Sequence, residues 1–312
     1  MRNIEIVGYG TYIPENVVIF GNQKRHRIAK DDNTSQIDMA IEAINKALKM
    51  SNLNIKDIDC IVSTSAVCAQ LIPCTASLIH ERIAKGTNIP AIDINTTCTS
   101  FISALDIMSY LIEAGRYNKV LIVASEKASV GLNEKQKESY ELFADGACAM
   151  IIQKSNDSEK GVIYSIQQTW SEGAHSTEIR GGGNLLPGMK FSEEKKADYL
   201  FDMKGKEVLL LAARKLPKFF ENMFKESGLT ISDIDMVVPH QASRALGLIM
   251  GKLGVPNEKY IDIVDEYGNM VSVSVPFAFC KALEDGKIRQ GNTVILTGTA
   301  AGLTANAVIL KI

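Results

Sequence analysis

The sequence predicts an α/β protein built of two similar halves, and three features carry that prediction. The first is a long internal repeat. Gly228-Leu-Thr-Ile-Ser-Asp-Ile-Asp-Met-Val-Val-Pro-His-Gln-Ala242 follows Asn52–Ala66 at an offset of 176 residues and keeps Leu, Ile, Asp, Ile, Asp and Val in register. Ile261-Asp-Ile263 echoes Ile92-Asp-Ile94. Glu284-Asp-Gly286 followed by Thr293–Leu296 echoes Glu113-Ala-Gly115 followed by Lys119–Ile122, and Ala305–Leu310 echoes Ala147–Ile152. The second feature is the alternation of short apolar runs with segments of three- and four-residue periodicity. The third is size and balance: 312 residues, 46% hydrophobic and 22% charged, suffice for one large or two medium domains with a full core. We therefore expect two homologous halves about a pseudo-two-fold axis, residues 1–160 and 161–312, divided at the polar linker Lys154–Gly161.

Taken in order, Asn3–Tyr9 reads as a strand. Ser35–Met50 reads as an amphipathic helix with Ile37, Met39, Ala40, Ile44 and Leu48 on one side. Asn52–Ala66 is a turn running into a buried strand, Thr75–Lys85 a helix, and Pro90–Ile94 a short buried strand. From Thr99 the helical spacing of Phe101, Ile102, Leu105, Met108, Leu111 and Ile112 takes over, and Gly115 supplies the stop. Lys119–Ser125 and Ala147–Gln153 are strands. Two excursions, Glu126–Gly146 and Ser171–Phe201, interrupt the layers and read as lids or tunnel walls. The second carries Gly181-Gly-Gly183, which lacks the strand before it and the GK[ST] after it that a phosphate loop needs; a mobile loop is expected. Its run Glu193-Glu-Lys-Lys196 reads as a solvated face.

A net charge of −2 gives no reason to expect nucleic acid or a membrane surface as partner. The apolar run at the N-terminus is too short for a signal peptide, and no stretch approaches a membrane span. Six cysteines (60, 68, 74, 98, 148 and 280) lie in apolar segments with no CxxC pair, which is the usage of a reducing cytoplasm. Four scattered histidines offer no metal-ligand spacing, so no metal is expected.

Cys98 sits where the strand Pro90–Ile94 gives way to a helix. Free backbone N–H groups and the positive helix end there favour a thiolate, and a thiolate is a nucleophile. Most cysteines are inert apolar fillers, so Cys98 alone does not decide the matter. The repeat adds two candidates. His240 ends the second-copy strand equivalent to Ile58–Val62. Asn269 precedes the Ser272–Leu283 helix as Cys98 precedes its own, at an offset of 171. A pseudo-two-fold axis would bring all three to one centre. Taken singly, a histidine after a strand is more often structural, and an asparagine after Gly268 is a turn residue.

With these residues in view, the chain resembles the thiolase superfamily, and within it the β-ketoacyl-acyl-carrier-protein synthase III family. The motifs are Asp93-Ile-Asn-Thr-Thr-Cys-Thr-Ser-Phe101, Pro239-His-Gln-Ala242, Tyr267-Gly-Asn269 and Gly298-Thr-Ala-Ala-Gly302. The resemblance implies a five-layer α-β-α-β-α sandwich and a homodimer. It also implies a reaction in which a primer acyl group moves from a coenzyme A or carrier-protein thioester to Cys98. A malonyl thioester then loses CO2, and its enolate attacks the acyl-cysteine to give a 3-oxoacyl thioester. The backbone N–H groups of Cys98 and Ala301 would hold the oxyanion, and His240 and Asn269 would donate to the enolate oxygen. No permanently bound cofactor is implied; the partners are acyl carrier protein and small thioesters. Acyl transfer to an amine or hydroxyl without decarboxylation is the alternative chemistry.

Departures from the family pattern concern binding. The family's segment after its first strand carries a tryptophan and an arginine that grip the adenine of coenzyme A; here Pro14–Arg27 is much shorter and carries no tryptophan. The family's asparagine after His-Gln-Ala is Ser243, its Gly-Asn-Thr-Ser-Ala-Ala-Ser run is Gly268-Asn-Met-Val-Ser-Val-Ser274, and its Phe-Gly-Gly-Gly loop is Thr299-Ala-Ala-Gly302. By resemblance, Lys137, Arg244 and Lys252 stand near the tunnel mouth, suited to phosphates or an acidic carrier, and Ile72 reaches toward the partner's acyl pocket. A carrier-protein thioester is then the expected donor.

Overall fold

A computed structural model describes residues 1–312. Two sheets form its frame. The first has five strands in the order β1 (Ile4–Tyr12), β7 (Gly146–Lys154), β6 (Lys119–Glu126), β4 (Cys60–Ser63) and β5 (Ala91–Asp93). The second has four, in the order β8 (Gly161–Thr169), β13 (Thr304–Lys311), β12 (Thr293–Ala300) and β11 (Met236–Pro239). The pairings correspond: β4 runs parallel to β6 as β11 does to β12, and the remaining neighbours are antiparallel apart from β5, which is parallel to β4.

Both sheets are apolar on both faces, so each must be covered twice. Val120, Ile122 and Ala124 of β6 face a central layer formed by α3 (Ser100–Glu113) and α8 (Ser274–Glu284), while Leu121 and Val123 face the other way. On that outer side lie α1 (Gln36–Ser51) and α2 (Thr75–Ile83). Ile295, Ala305, Ala307 and Ile309 face α5 (Gly205–Ser227) and α6 (Leu246–Lys252) on the outside of the second sheet. The result is the five-layer α-β-α-β-α sandwich expected. Phe101 of α3 and Phe277 and Phe279 of α8 are buried in the centre, each worth about 2–3 kcal/mol of transfer free energy.

The retained letters of the repeat have identifiable work. Asp57 and Asp233 accept from the backbone N–H of Asn54 and Thr230, both at 2.8 Å, capping the short turns before β4 and β11. Asp59 and Asp235 accept from the backbone N–H of Lys119 and Thr293, which start β6 and β12. The fifth strand is where the halves part. Ile261-Asp-Ile263 matches Ile92-Asp-Ile94 in sequence but forms no strand, because the buried Gln241 side chain takes its hydrogen bonds: Nε2 donates to Ile261 O at 3.1 Å and Oε1 accepts from Ile263 N at 2.8 Å.

Several boundaries differ from expectation. β1 continues to Tyr12, and α2 stops at Ile83. β5 is shorter than Pro90–Ile94 and is not buried: it is the edge of the first sheet, with Ile92 exposed. Of the six cysteines, Cys68 is exposed and Cys74 half-buried, although both stand in segments that read as apolar. The excursions carry α4 (Lys137–Leu142) and the ribbon of β9 (Thr177–Glu178) with β10 (Asp202–Met203), clamped by Arg180 to Glu178, Asp198 and Asp202.

The shortened segment after β1 folds as a hairpin of β2 (Val17–Phe20) and β3 (Gln23–His26). Arg25 and Arg27 are buried, and both spend their guanidinium protons on backbone carbonyls. Arg25 donates to Glu141 O and Val264 O, and Arg27 to Phe143 O. They therefore tie α4 to α7 (Val264–Tyr267), the two segments flanking Asn269.

Candidate active site

A cavity of about 550 Å³ brings Cys98, His240 and Asn269 to one wall. Two backbone turns place the first and last of these. In the turn before α3, Thr97 has φ of 52°, Asn95 Oδ1 accepts from Thr97 N at 2.8 Å, and Ser100 Oγ accepts from Thr96 N at 2.9 Å. In the turn before α8, Val271 also has φ of 52°, Asn269 Oδ1 accepts from Val271 N at 2.8 Å, and Ser274 Oγ accepts from Met270 N at 2.9 Å. Asn95 Nδ2 donates to Ala66 O, as Asn269 Nδ2 does to Ala242 O.

These matched bonds correct the register read from sequence. The counterpart of Asn269 is Asn95, at an offset of 174, and the counterpart of Cys98 is Ser272; the offset of 171 aligned the helices without the tight turns that precede them. Gly268 has φ of 70°, and a Cβ there would meet Arg25 and Leu142 O at 2.5 Å, so only glycine leads into Asn269.

His240 follows β11, its backbone N–H donating to Thr297 O at 2.8 Å. Gly298 of β12 lies directly behind it: a Cβ on Gly298 would stand 2.7 Å from His240 Cβ and 3.3 Å from Thr99. The missing side chain is what lets His240 and the Cys98 turn approach. Burial pushes the imidazole down to about 4, and Nδ1 has no hydrogen-bond partner in the protein. His240 is thus a neutral group at physiological pH, a donor or acceptor but not a cation.

Cys98 is half-buried as a residue, open only along the cavity, while its sulfur sits deep in the fold. Burial pushes the thiol up to about 12, and the charge of Glu126 adds to the push. The backbone N–H groups of Cys98 and Ala301 point at the sulfur and pull the other way. The resting group is a thiol, not the thiolate that its place before a helix suggested; desolvation outweighs the helix end. These are the two N–H groups that the resemblance assigns to an oxyanion.

Glu126, the last residue of β6, was not among the expected site residues. It is buried, accepts from Ser272 Oγ at 2.5 Å and from Ala66 N at 2.5 Å, and burial pushes its carboxyl up to about 7. One carboxyl of the first half thereby holds the second-half turn. An acidic residue ending an otherwise apolar strand was the available signal. The remaining expectations divide. Arg244 lines the cavity, 3.4 Å from Asp265. Lys137 and Lys252 do not: Lys137 is the exposed first residue of α4, beside Glu141, and Lys252 sits exposed at the end of α6. Ile72 is 85% exposed and contributes nothing to the cavity of its own chain. Lys206, unexpected, is on the cavity wall with Gln23, Glu138 and Glu141. The excursions do wall the cavity, through Glu138, Glu141, Leu142, Phe143, Thr177 and Phe201; the Gly181–Gly183 loop does not.

The family models for 3-oxoacyl-[acyl-carrier-protein] synthase III and for its C-terminal part match residues 92–169 and 224–312. Over all of both chains, the sequence is 31% identical to a β-ketoacyl-[acyl-carrier-protein] synthase III of Clostridium perfringens and 31% identical to one of Coxiella burnetii. The chain belongs to the β-ketoacyl-[acyl-carrier-protein] synthase III family. A solved member, the 3-oxoacyl-[acyl-carrier-protein] synthase III of Aquifex aeolicus, superposes with a TM-score of 0.87 at 26% identity, covering 99% of this chain and all of that one. Another, from Thermus thermophilus, gives 0.85 at 27%, covering 98% of each. Family membership accounts for the layered fold and for a cavity built where the two halves meet.

Proposed function

We propose that this chain is an acyltransferase of the 3-oxoacyl-acyl-carrier-protein synthase III type, acting through Cys98, His240 and Asn269. The observation that carries the reading is the convergence of these residues on one cavity with two N–H groups already aimed at the Cys98 sulfur. In the first half-reaction the Cys98 sulfur bonds to the thioester carbonyl and the donor's C–S bond breaks. The cysteine proton ends on the departing thiol, and the N–H groups of Cys98 and Ala301 stabilise the tetrahedral oxyanion. In the second, malonyl thioester loses CO2 and its enolate attacks the acyl-cysteine, expelling the Cys98 sulfur. An enolate oxygen needs neutral donors. His240, whose depressed pKa keeps it uncharged, and the Asn269 amide meet that need.

We place the carrier at the mouth marked by Arg244 and Lys206, whose charges suit phosphate or an acidic carrier protein. Arg25 and Arg27 are spent inside the fold and do not replace the missing adenine grip. We further infer a homodimer formed along β5. Its outer edge has no partner in the chain, and Asp93 accepts from the N–H groups of Thr75 and Ala76, holding the segment with exposed Leu71 and Ile72 beside it. No helix is long and apolar enough to cross a membrane, and all six cysteines are free, which supports a cytoplasmic setting.

The test is twofold. Incubation with malonyl thioester and an acyl donor should release CO2 and give a 3-oxoacyl thioester; acyl transfer without CO2 release overturns the condensing reading. One acyl group presented on both carriers should show the higher kcat/KM on carrier protein, with the advantage shrinking as salt rises; equal values on coenzyme A overturn the carrier assignment.

A further inference from the structure

Only two buried side-chain polar atoms in the molecule lack a hydrogen-bond partner, and both stand at the Cys98 site: His240 Nδ1 and Thr97 Oγ1. A buried hydroxyl without a partner costs free energy, so an orphan in a native fold calls for a role. His240 already has a part in the proposed chemistry. Thr97 has none.

The twin mount shows what the hydroxyl is not for. Under the 174-residue offset Thr97 corresponds to Val271, and both stand at φ of 52°, a left-handed conformation that β-branched residues seldom adopt. The frame thus takes a branched side chain in both halves, and threonine and valine have the same shape. The half with valine keeps the same turn: Asn269 Oδ1 accepts from Val271 N, and Asn95 Oδ1 from Thr97 N, both at 2.8 Å. The turn therefore does not need the hydroxyl. What differs is the next residue, a buried serine after Val271 and the cysteine after Thr97.

The Thr97 hydroxyl lies beside the Cys98 sulfur. Burial and the charge of Glu126 push that thiol up, while the N–H groups of Cys98 and Ala301, and then the Thr97 hydroxyl, draw it down. His240 is neutral and Glu126 repels, so a charged sulfur is held by donors and not by a cation. A neutral thiol is a weak acceptor, which leaves the hydroxyl unpaired at rest; a thiolate accepts strongly.

Resting on the acyl-transfer reading above, we propose that the Thr97 hydroxyl donates to the Cys98 sulfur whenever that sulfur carries charge. It does so as the sulfur attacks the thioester carbonyl, and again as the enolate expels it from the acyl-cysteine. Thr97 keeps its own proton throughout, and the cysteine proton still ends on the departing thiol. Because the bond forms only with the charged sulfur, it lowers the barrier without tightening the resting state.

The test compares Thr97→Val with Thr97→Ser. Iodoacetamide alkylates thiolates, and peptide mapping of one sample gives the rate at Cys98 against that at exposed Cys68. Thr97→Val should lower the Cys98-to-Cys68 ratio by about tenfold, the worth of a hydrogen bond to a charged group. The line of log rate against pH at Cys98 should move up by about one pH unit. Thr97→Ser, which keeps the hydroxyl, should stay near the parent. Acylation of Cys98 by a thioester, read by intact mass, should fall in Thr97→Val by a similar factor. The urea midpoint of Thr97→Val should be no lower than the parent's, since an orphaned hydroxyl has been removed. An unchanged ratio in Thr97→Val overturns the inference, as does a midpoint well below the parent's. So does a Thr97→Ser as slow as Thr97→Val, which would make the branched shape, and not the hydroxyl, the cause. If the alkylation ratios behave as stated but the parent acquires no acyl group from any thioester, it is the acyl-transfer reading that fails.

Discussion

The turns Asn95–Ser100 and Asn269–Ser274 are near copies in backbone and hydrogen bonding, yet they do different things. Each begins with an asparagine whose amide bridges the same two backbone groups, and each ends in a serine that caps the turn. In the first half the asparagine is exposed and the third residue after it, Cys98, lines the cavity. In the second the asparagine lines the cavity and the third residue after it, Ser272, is buried against Glu126. The duplicated frame therefore supplies two identical mounts, and one position from each is used. The difference teaches that a shared fold fixes where groups can stand, while the neighbours decide which of them meets substrate.

The largest effect separates the two equivalent positions. Cys98→Ser should abolish acyl-adduct formation, and adding Ser272→Cys in that background should not restore it, because position 272 faces Glu126 and not the cavity. Peptide mapping checks both; an adduct on position 272, or on Cys60, Cys68, Cys74, Cys148 or Cys280, breaks the comparison. Next come the two asparagines. Asn269→Asp should slow malonyl decarboxylation by about 10²–10³, or ~3–4 kcal/mol, with acylation largely kept, and His240→Ala should act in the same direction. Asn95→Asp, in the twin mount, should leave decarboxylation near the parent rate. CO2 release assays decide; equal losses at both asparagines would mean that the turn, not the amide, matters.

The smallest effect concerns the carboxyl that joins the halves. The folded state holds the Glu126 proton up to about pH 7, above its ordinary value of 4.5. Its folded pKa is raised, so the stability it contributes is fully present below about 4.5 and is lost as pH rises through about 7. The loss amounts to about 3 kcal/mol at most. Glu126→Gln cannot ionise, so its unfolding free energy should fall less steeply between about pH 5 and about pH 8. Urea unfolding across that range measures the slope, and parallel slopes would show that Glu126 does not titrate there.

Much of this was legible in the letters. The repeat announced two like sheets because the Asp residues that start equivalent strands cannot be exchanged without losing backbone partners. Cys98, His240 and Asn269 stood out because each ends or precedes a recognisable element. What escaped had physical causes. β5 looked buried because an edge strand uses the same apolar letters as a core strand. The 171-residue offset arose because helical periodicity does not reveal the three-residue turn ahead of a helix. The missing fifth strand of the second half depends on one Gln241 side chain imitating a backbone, and no pattern of hydrophobicity encodes that. Lys137 and Lys252 point outward from short helices whose rotation a sequence does not state.

The layer that walls much of the cavity is not the layer that mounts Cys98 and Asn269. Cys98 and Asn269 are mounted at the ends of the central helices, where almost every substitution disturbs both sheets at once. α5 and α6 lie on the outside and pack on the second sheet, away from both mounts. The shape of the cavity and the placing of its two mounts are therefore set by different layers of the sandwich.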